Sequence, residues 1–390
     1  MNLPMAPTQP SPSPAAPKLA GAATLPMVPV QTPLPVLSPQ EIAELSDEVR
    51  ALARERNAVI LAHNYQVPEI QDVADYVGDS LGLSRKAAAT DAQVIAFCGV
   101  HFMAETASIL CPQKTVLIPD LDAGCSLAAS IDAGQLADWR ATYPEGVVVM
   151  YVNTTAEVKA LTDYCCTSAN AVEVVRHIYD TRGPNTEILF GPDMWLGAYV
   201  EKELGRRMHV WDGECHVHAG IRPADIAATR AAHPGADFLI HPECGCTTSV
   251  MEFVAAGDVS AEGVHMLSTG GMLKYAQQAE HDAQEQAAHP GAGSDGAGAG
   301  GDGAGGEAGS CPARPQAIVA TETGMLYPLQ LAAPDVEFIP ANPNASCVYM
   351  KMITLPKLRD ALREMKFEVR VPQEIAARAR VPIDRMVALG

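Results

Sequence analysis

The chain has 390 residues, 48% of them hydrophobic and 19% charged, a composition that suits a soluble globular protein of two or three domains. Its formal net charge of −19 argues against nucleic acid or an anionic membrane as the main partner. A local site can still oppose that field and take an anionic substrate, and no apolar run approaches the ~20 residues that span a bilayer.

Residues 1–38 are thick with Pro, Ala and Ser. They show neither the basic start nor the unbroken apolar core of a secretory signal, so a disordered tail and a cytoplasmic chain are expected. Ten cysteines in that setting point to thiols or metal ligands rather than a disulfide framework.

Short apolar, β-rich runs then alternate with helical stretches in three groups. The first holds 58–65 (AVILAHNY), 94–100 (VIAFCGV) and 115–120 (TVLIPD). The second holds 147–153 (VVVMYVN), 187–193 (EILFGPD) and 208–215 (MHVWDGEC). The third holds 237–244 (DFLIHPEC), 263–269 (GVHMLST), 317–323 (AIVATET) and 336–341 (VEFIPA). Continuous apolar runs separated by helices predict parallel strands covered on both faces, hence an α/β fold. Gly and Ala dominate 289–312, which reads as a flexible surface insertion and makes Cys311 a poor ligand.

The groups share a register. His63, Tyr151 and His241 each close a first strand, at intervals of 88 and 90 residues. Ser80 follows His63 by 17 residues and Ser168 follows Tyr151 by 17, whereas Thr269 follows His241 by 28, as if about 11 residues were inserted. Cys125, Cys215 and Cys347 follow the last strand of their groups. One cysteine per unit at a strand's carboxyl end is a pattern that converges on a central cavity.

The blocks AHNYQVPEIQDVADYVGDSLGLS, FCGVHFMAETA, IPDLDAGCSLA, YVNTTAEVKA, HPECGC, STGGM, ATETGMLYPL and CVYMKM, in this order, resemble the quinolinate synthases of bacterial de novo NAD biosynthesis. The likeness runs from about residue 41 to about 370. It implies three pseudo-symmetric α/β/α units around a central active site, here 41–134, 135–222 and 223–390. It also implies a [4Fe–4S] cluster on Cys125, Cys215 and Cys347, with one iron left open as a Lewis acid. The implied reaction condenses iminoaspartate with dihydroxyacetone phosphate to quinolinate, losing phosphate and two waters. Functional coupling to an enzyme that supplies iminoaspartate goes with it.

The resemblance makes Tyr65 a proton-transfer group, His63 a substrate contact, and His241 with Glu243 an acid–base and substrate-binding pair. Tyr151 and Asn153 would offer hydroxyl and amide to a carboxylate. Ser80, Ser168, Ser268 and Thr269 would bind anions at helix starts, although capping alone is the commoner role of such a hydroxyl. A Glu in a desolvated site is expected to have its pKa raised toward neutrality. His218 and Glu322 stand as further candidates. Cys98, Cys111, Cys165, Cys166, Cys244 and Cys246 are expected as free thiols with no ligand role.

Two other readings compete. An iron–sulfur electron carrier or redox sensor needs a fourth ligand such as Cys244. A zinc enzyme would use His241, Glu243 and Cys244, without a familiar zinc spacing.

Overall fold

A computed structural model describes residues 37–256, 262–288 and 314–389. The Pro/Ala-rich tail up to residue 36 and the Gly/Ala insertion lie outside these residues. The ordered chain starts on a capping box. Ser38 Oγ accepts the Glu41 N–H at 3.3 Å while the Glu41 carboxylate accepts the Ser38 N–H at 2.8 Å, which starts the helix Pro39–Glu55.

Twelve strands follow among the described residues. They are β1 Ala58–His63, β2 Tyr76–Gly78, β3 Val94–Cys98, β4 Thr115–Leu117, β5 Val147–Tyr151 and β6 Tyr164–Cys166. The rest are β7 Ile188–Gly191, β8 His209–Val210, β9 Asp237–Ile240, β10 Val264–Met266, β11 Gln316–Ala320 and β12 Glu337–Pro340. They form three four-stranded parallel sheets in the orders β2-β1-β3-β4, β6-β5-β7-β8 and β10-β9-β11-β12. The same topology occurs three times. The architecture is therefore α/β with three repeated units.

Residues of β3, β5 and β7 are buried throughout, as their unbroken apolar sequences require of strands covered by helices on both faces. β2 and β6 have no such runs in the sequence. Each is three residues long, and β2 keeps Tyr76 exposed at a sheet edge. In the third unit the helix between first and second strands lengthens to Thr247–Ala256, against Pro68–Val73 and Ala156–Lys159 in the other two. The longer His241–Thr269 interval falls here.

The end of the chain leaves the third sheet. Helix Leu355–Glu364 packs on the first helix, Pro39–Glu55. Residues 367–369 run along β4, where Ile118 N–H donates to Phe367 O and Val369 N–H donates to Val116 O. Helix Gln373–Ala388 then lies on both the first and second units. Arg380 donates to Leu110 O at 2.9 Å, and Asn170 donates to Met386 O at 3.0 Å. Its own Ala379, Ile383 and Met386 are buried on the packed face. Among the described residues no helix is long and apolar enough to cross a membrane.

Candidate active site and metal centre

Parallel strands point their carboxyl ends the same way, and the loops beyond those ends form a pocket lined from all three units. β1 ends at His63, with Tyr65 two residues on and their rings 4.6 Å apart. β5 ends at Tyr151, with Asn153 two residues on. His241 and Glu243 leave the end of β9 with the same spacing. The chain bends or turns just beyond each strand end, and both members of each pair line the pocket.

The three pairs meet across unit boundaries. The Tyr151 hydroxyl donates to Glu243 Oε1 in a short hydrogen bond. His218 Nδ1 lies 3.3 Å from Glu243 Oε2, off hydrogen-bond alignment, and the His218 ring stacks on His241 at 4.7 Å. Ser168 Oγ is 3.2 Å from His241 Nε2. Tyr65 Oη lies 2.7 Å from Thr321 Oγ1 and 3.3 Å from His218 Nε2. Asn153 Oδ1 is buried without a hydrogen-bond partner, a group that a ligand can satisfy.

The electrostatics follow from burial. Desolvation drives His63 down to about 3 and His241 down to about 4, with the Glu243 charge only partly opposing it. Burial, then the Glu243 charge, pushes Tyr65 and Tyr151 well above the ordinary phenol range. Burial alone would raise the Glu243 carboxyl, but His241, His218 and the Tyr151 phenol together hold it at about 2. This reverses the expectation of a carboxyl tuned toward neutrality: His241, two residues before it, lowers it most, and His218 and the Tyr151 phenol from the second unit add to the effect. At neutral pH the pocket thus holds the Glu243 carboxylate at its centre, neutral imidazoles at His63 and His241, and neutral phenols.

These shifts predict acid sensitivity. A histidine whose folded pKa lies below its unfolded value stabilises the fold fully above the unfolded value of 6.5. That stability is lost as pH falls toward about 4 for His241 and about 3 for His63, at up to ~1.4 kcal/mol per pH unit for each group. Tm of the metal-free protein is expected to fall by several degrees between pH 7 and pH 5, and His63→Gln should flatten that slope. An unchanged Tm across this range would show that the imidazoles reach solvent.

Among the hydroxyls, Ser80, Ser168 and Thr269 line the pocket. Ser80 and Thr269 are the first residues of the helices Ser80–Ala89 and Thr269–Ala288. Ser80 is spared capping because Asp79 Oδ1 accepts the Gly82 N–H at 2.7 Å. Ser268 is turned away and accepts the Gly271 N–H at 3.2 Å. Among the described residues no Arg or Lys lines the pocket, so anions there meet hydroxyls, imidazoles and helix N-termini.

Cys125, Cys215 and Cys347 sit in the loops after β4, β8 and β12 and face the same pocket. Burial pushes the Cys125 thiol up to about 12, and raises Cys215 and Cys347 as well. Charges on the three would repel one another. Three half-buried thiols, with no cationic side chain lining the pocket among the described residues, fit a cationic metal group that takes them as thiolates. Cys215, His218 and Glu243 also offer ligand atoms within 4.8 Å of one another.

His218, a candidate from sequence, is at the centre of the pocket. Glu322 lines it too, but its carboxylate is committed to the Cys347 N–H and to Lys351 Nζ, both at 2.9 Å. Sequence reasoning missed Thr321, next to Glu322 at the end of the same apolar run. Cys98, Cys111, Cys165 and Cys166 are buried free thiols. Cys244 and Cys246, expected free, are instead joined as a disulfide with Cα atoms 5.2 Å apart. The turn after β9 brings residues two apart onto one side, where both are fully buried away from the pocket. Cys244 is therefore placed neither for a fourth cluster ligand nor for a zinc site with His241 and Glu243.

A family model described as quinolinate synthetase A protein (NadA) matches residues 47–287 and 308–388. The chain belongs to this family. It is 51% identical over 346 residues to a quinolinate synthase of Thermus thermophilus, covering 89% of this chain and 97% of that protein. It is 52% identical over 344 residues to a quinolinate synthase of Mycobacterium tuberculosis, covering 88% of each. Membership of the quinolinate synthetase A family places the chain among enzymes.

Proposed function

We propose that this chain is a quinolinate synthase that condenses iminoaspartate with dihydroxyacetone phosphate, releasing phosphate and two waters, in the cytoplasm. One observation carries the reading. Three cysteines, one from each repeated unit, face the pocket that also gathers Tyr65, Tyr151, His241 and Glu243. A [4Fe–4S] cluster on Cys125, Cys215 and Cys347 would supply an open, Lewis-acidic iron that eases departure of a hydroxide.

The chain's own residues do the rest. Ser80, Ser168 and Thr269 receive substrate anions with neutral donors. Asn153 Oδ1, free of any partner, accepts from a substrate hydroxyl or N–H and orients it. Two helix N-termini favour negative charge beside those hydroxyls. With a pKa near 2, Glu243 is a weak base in the empty pocket. A dianionic substrate entering beside it raises that value by like-charge repulsion, so the carboxylate becomes a competent proton acceptor when substrate is present. Tyr65, a neutral phenol held by Thr321 and His218, donates a proton to a leaving oxygen. His63 and His241, as neutral imidazoles, bind and orient without adding charge. The supply of unstable iminoaspartate calls for coupling to an enzyme that makes it.

The test is an anaerobic assay of reconstituted protein with dihydroxyacetone phosphate and freshly generated iminoaspartate. Quinolinate should appear in proportion to bound iron and sulfide. Full cluster content with no quinolinate formed would refute the reading and favour electron transfer.

A further inference from the structure

The three cysteine loops are gripped by a repeated set of hydrogen bonds, and the set is complete in only two units. In every unit the first residue of the segment after the third strand donates its N–H to the carbonyl two residues before the cysteine. The pairs are His101 to Ala123, Met194 to Gly213 and Thr323 to Ala345, each at 2.8 Å. In every unit the cysteine carbonyl accepts from the residue four later, at 3.1, 2.9 and 3.2 Å for Cys125, Cys215 and Cys347.

The third element of the grip differs. Two residues beyond the ends of β3, β7 and β11 stand Val100, Asp193 and Glu322, each the N-cap of the next helical turn. Asp193 Oδ1 accepts the N–H groups of Trp195 and Leu196 at 2.8 and 3.0 Å, while Oδ2 accepts the Cys215 N–H at 3.2 Å. Glu322 Oε2 accepts the Gly324 N–H at 2.7 Å, while Oε1 accepts the Cys347 N–H at 2.9 Å. Both acids are buried, at 0% and 1% exposure. Val100 has no side-chain acceptor, so this tether is missing at Cys125.

Burying a carboxylate is expensive, and a Ser or Asn would cap these turns without a charge. What a carboxylate adds is acceptor capacity on both oxygens at once. One oxygen caps the turn and the other is left for the cysteine amide. From this geometry we infer that Asp193 and Glu322 are positioning residues that fix Cys215 and Cys347 for the metal cluster, leaving Cys125 as its loosest corner. The inference rests on the three-cysteine cluster proposed above.

Asp193→Asn and Glu322→Gln keep size but replace one acceptor oxygen by an N–H₂ donor. Asp193→Ser keeps a good helix cap and cannot reach Cys215. The experiment loads each protein anaerobically, then follows iron release to a ferrous chelator with iodoacetamide present, reading alkylation of each cysteine by mass spectrometry. Removing a group that orients a metal ligand typically costs on the order of 10–100-fold in affinity, and iron release should quicken by a similar factor. In the parent, Cys125 should be alkylated first. Cys215 should join it in both Asp193 variants, and Cys347 in Glu322→Gln, with far-UV circular dichroism unchanged. A uniform rise at all three cysteines, or parent-like release in the folded variants, overturns the inference while leaving the cluster reading intact. Failure of the parent to take up iron and sulfide sinks both.

Discussion

Serine in place of Cys125, Cys215 or Cys347 is expected to remove bound iron and sulfide to background and to abolish quinolinate formation. Each thiol comes from a different unit, so no neighbouring sulfur can substitute for it. Among the described free cysteines, the remaining four are buried in the core away from the pocket, and Cys244 is tied to Cys246. Serine fills nearly the same volume, so the fold should survive and Tm of the metal-free variant should stay within a few degrees of the parent. Iron and sulfide analysis after anaerobic reconstitution gives the answer. Near-parental iron in any one variant would remove that cysteine from the metal centre.

Glu243→Gln should split cluster from turnover. The amide keeps the side chain's shape and an oxygen able to accept the Tyr151 hydroxyl, but removes the Glu243 charge and the base. Loss of general acid–base help is worth on the order of 10²–10⁴-fold in rate, while iron content should remain near parental. A second effect follows from charge. Without the Glu243 carboxylate, His241 loses an interaction that opposes its desolvation, so its pKa should fall further. Cys244→Ala and Cys246→Ala, one and three residues along, should retain iron and most activity at a packing cost of about 1 kcal/mol. Iron loss in Cys244→Ala together with parental turnover in Glu243→Gln would reverse the roles assigned along this strand end.

Much of the scaffold was legible because parallel strands buried on both faces leave uninterrupted apolar runs, as in β3, β5 and β7. β2 and β6 were not, since three residues carry too little periodicity to stand out from a loop. The site was legible as positions and not as partnerships. The register placed His63, Tyr151 and His241 at equivalent strand ends, but nothing local says that the Tyr151 hydroxyl meets Glu243 or that Tyr65 meets His218 and Thr321. Those contacts cross unit boundaries, over sequence separations of 92, 153 and 256 residues. The direction of the Glu243 shift came out opposite to expectation because a buried carboxyl alone rises, whereas adjacent His241, joined by His218 and Tyr151 from the second unit, pulls it down. The disulfide depended on a turn conformation that the letters ECGC do not specify.

The return of the chain's end to its beginning has a consequence for the order of events during synthesis. Domains generally take shape from the amino terminus as the chain is made. Here the buried face of helix Gln373–Ala388 covers the first and second units, and residues 367–369 extend the β4 edge of the first sheet. Until that helix has been made, those apolar surfaces lack its cover. Cys347 also arrives late, more than two hundred residues after Cys125. On the three-cysteine reading proposed above, the thiol set is therefore complete only once the third unit has been made.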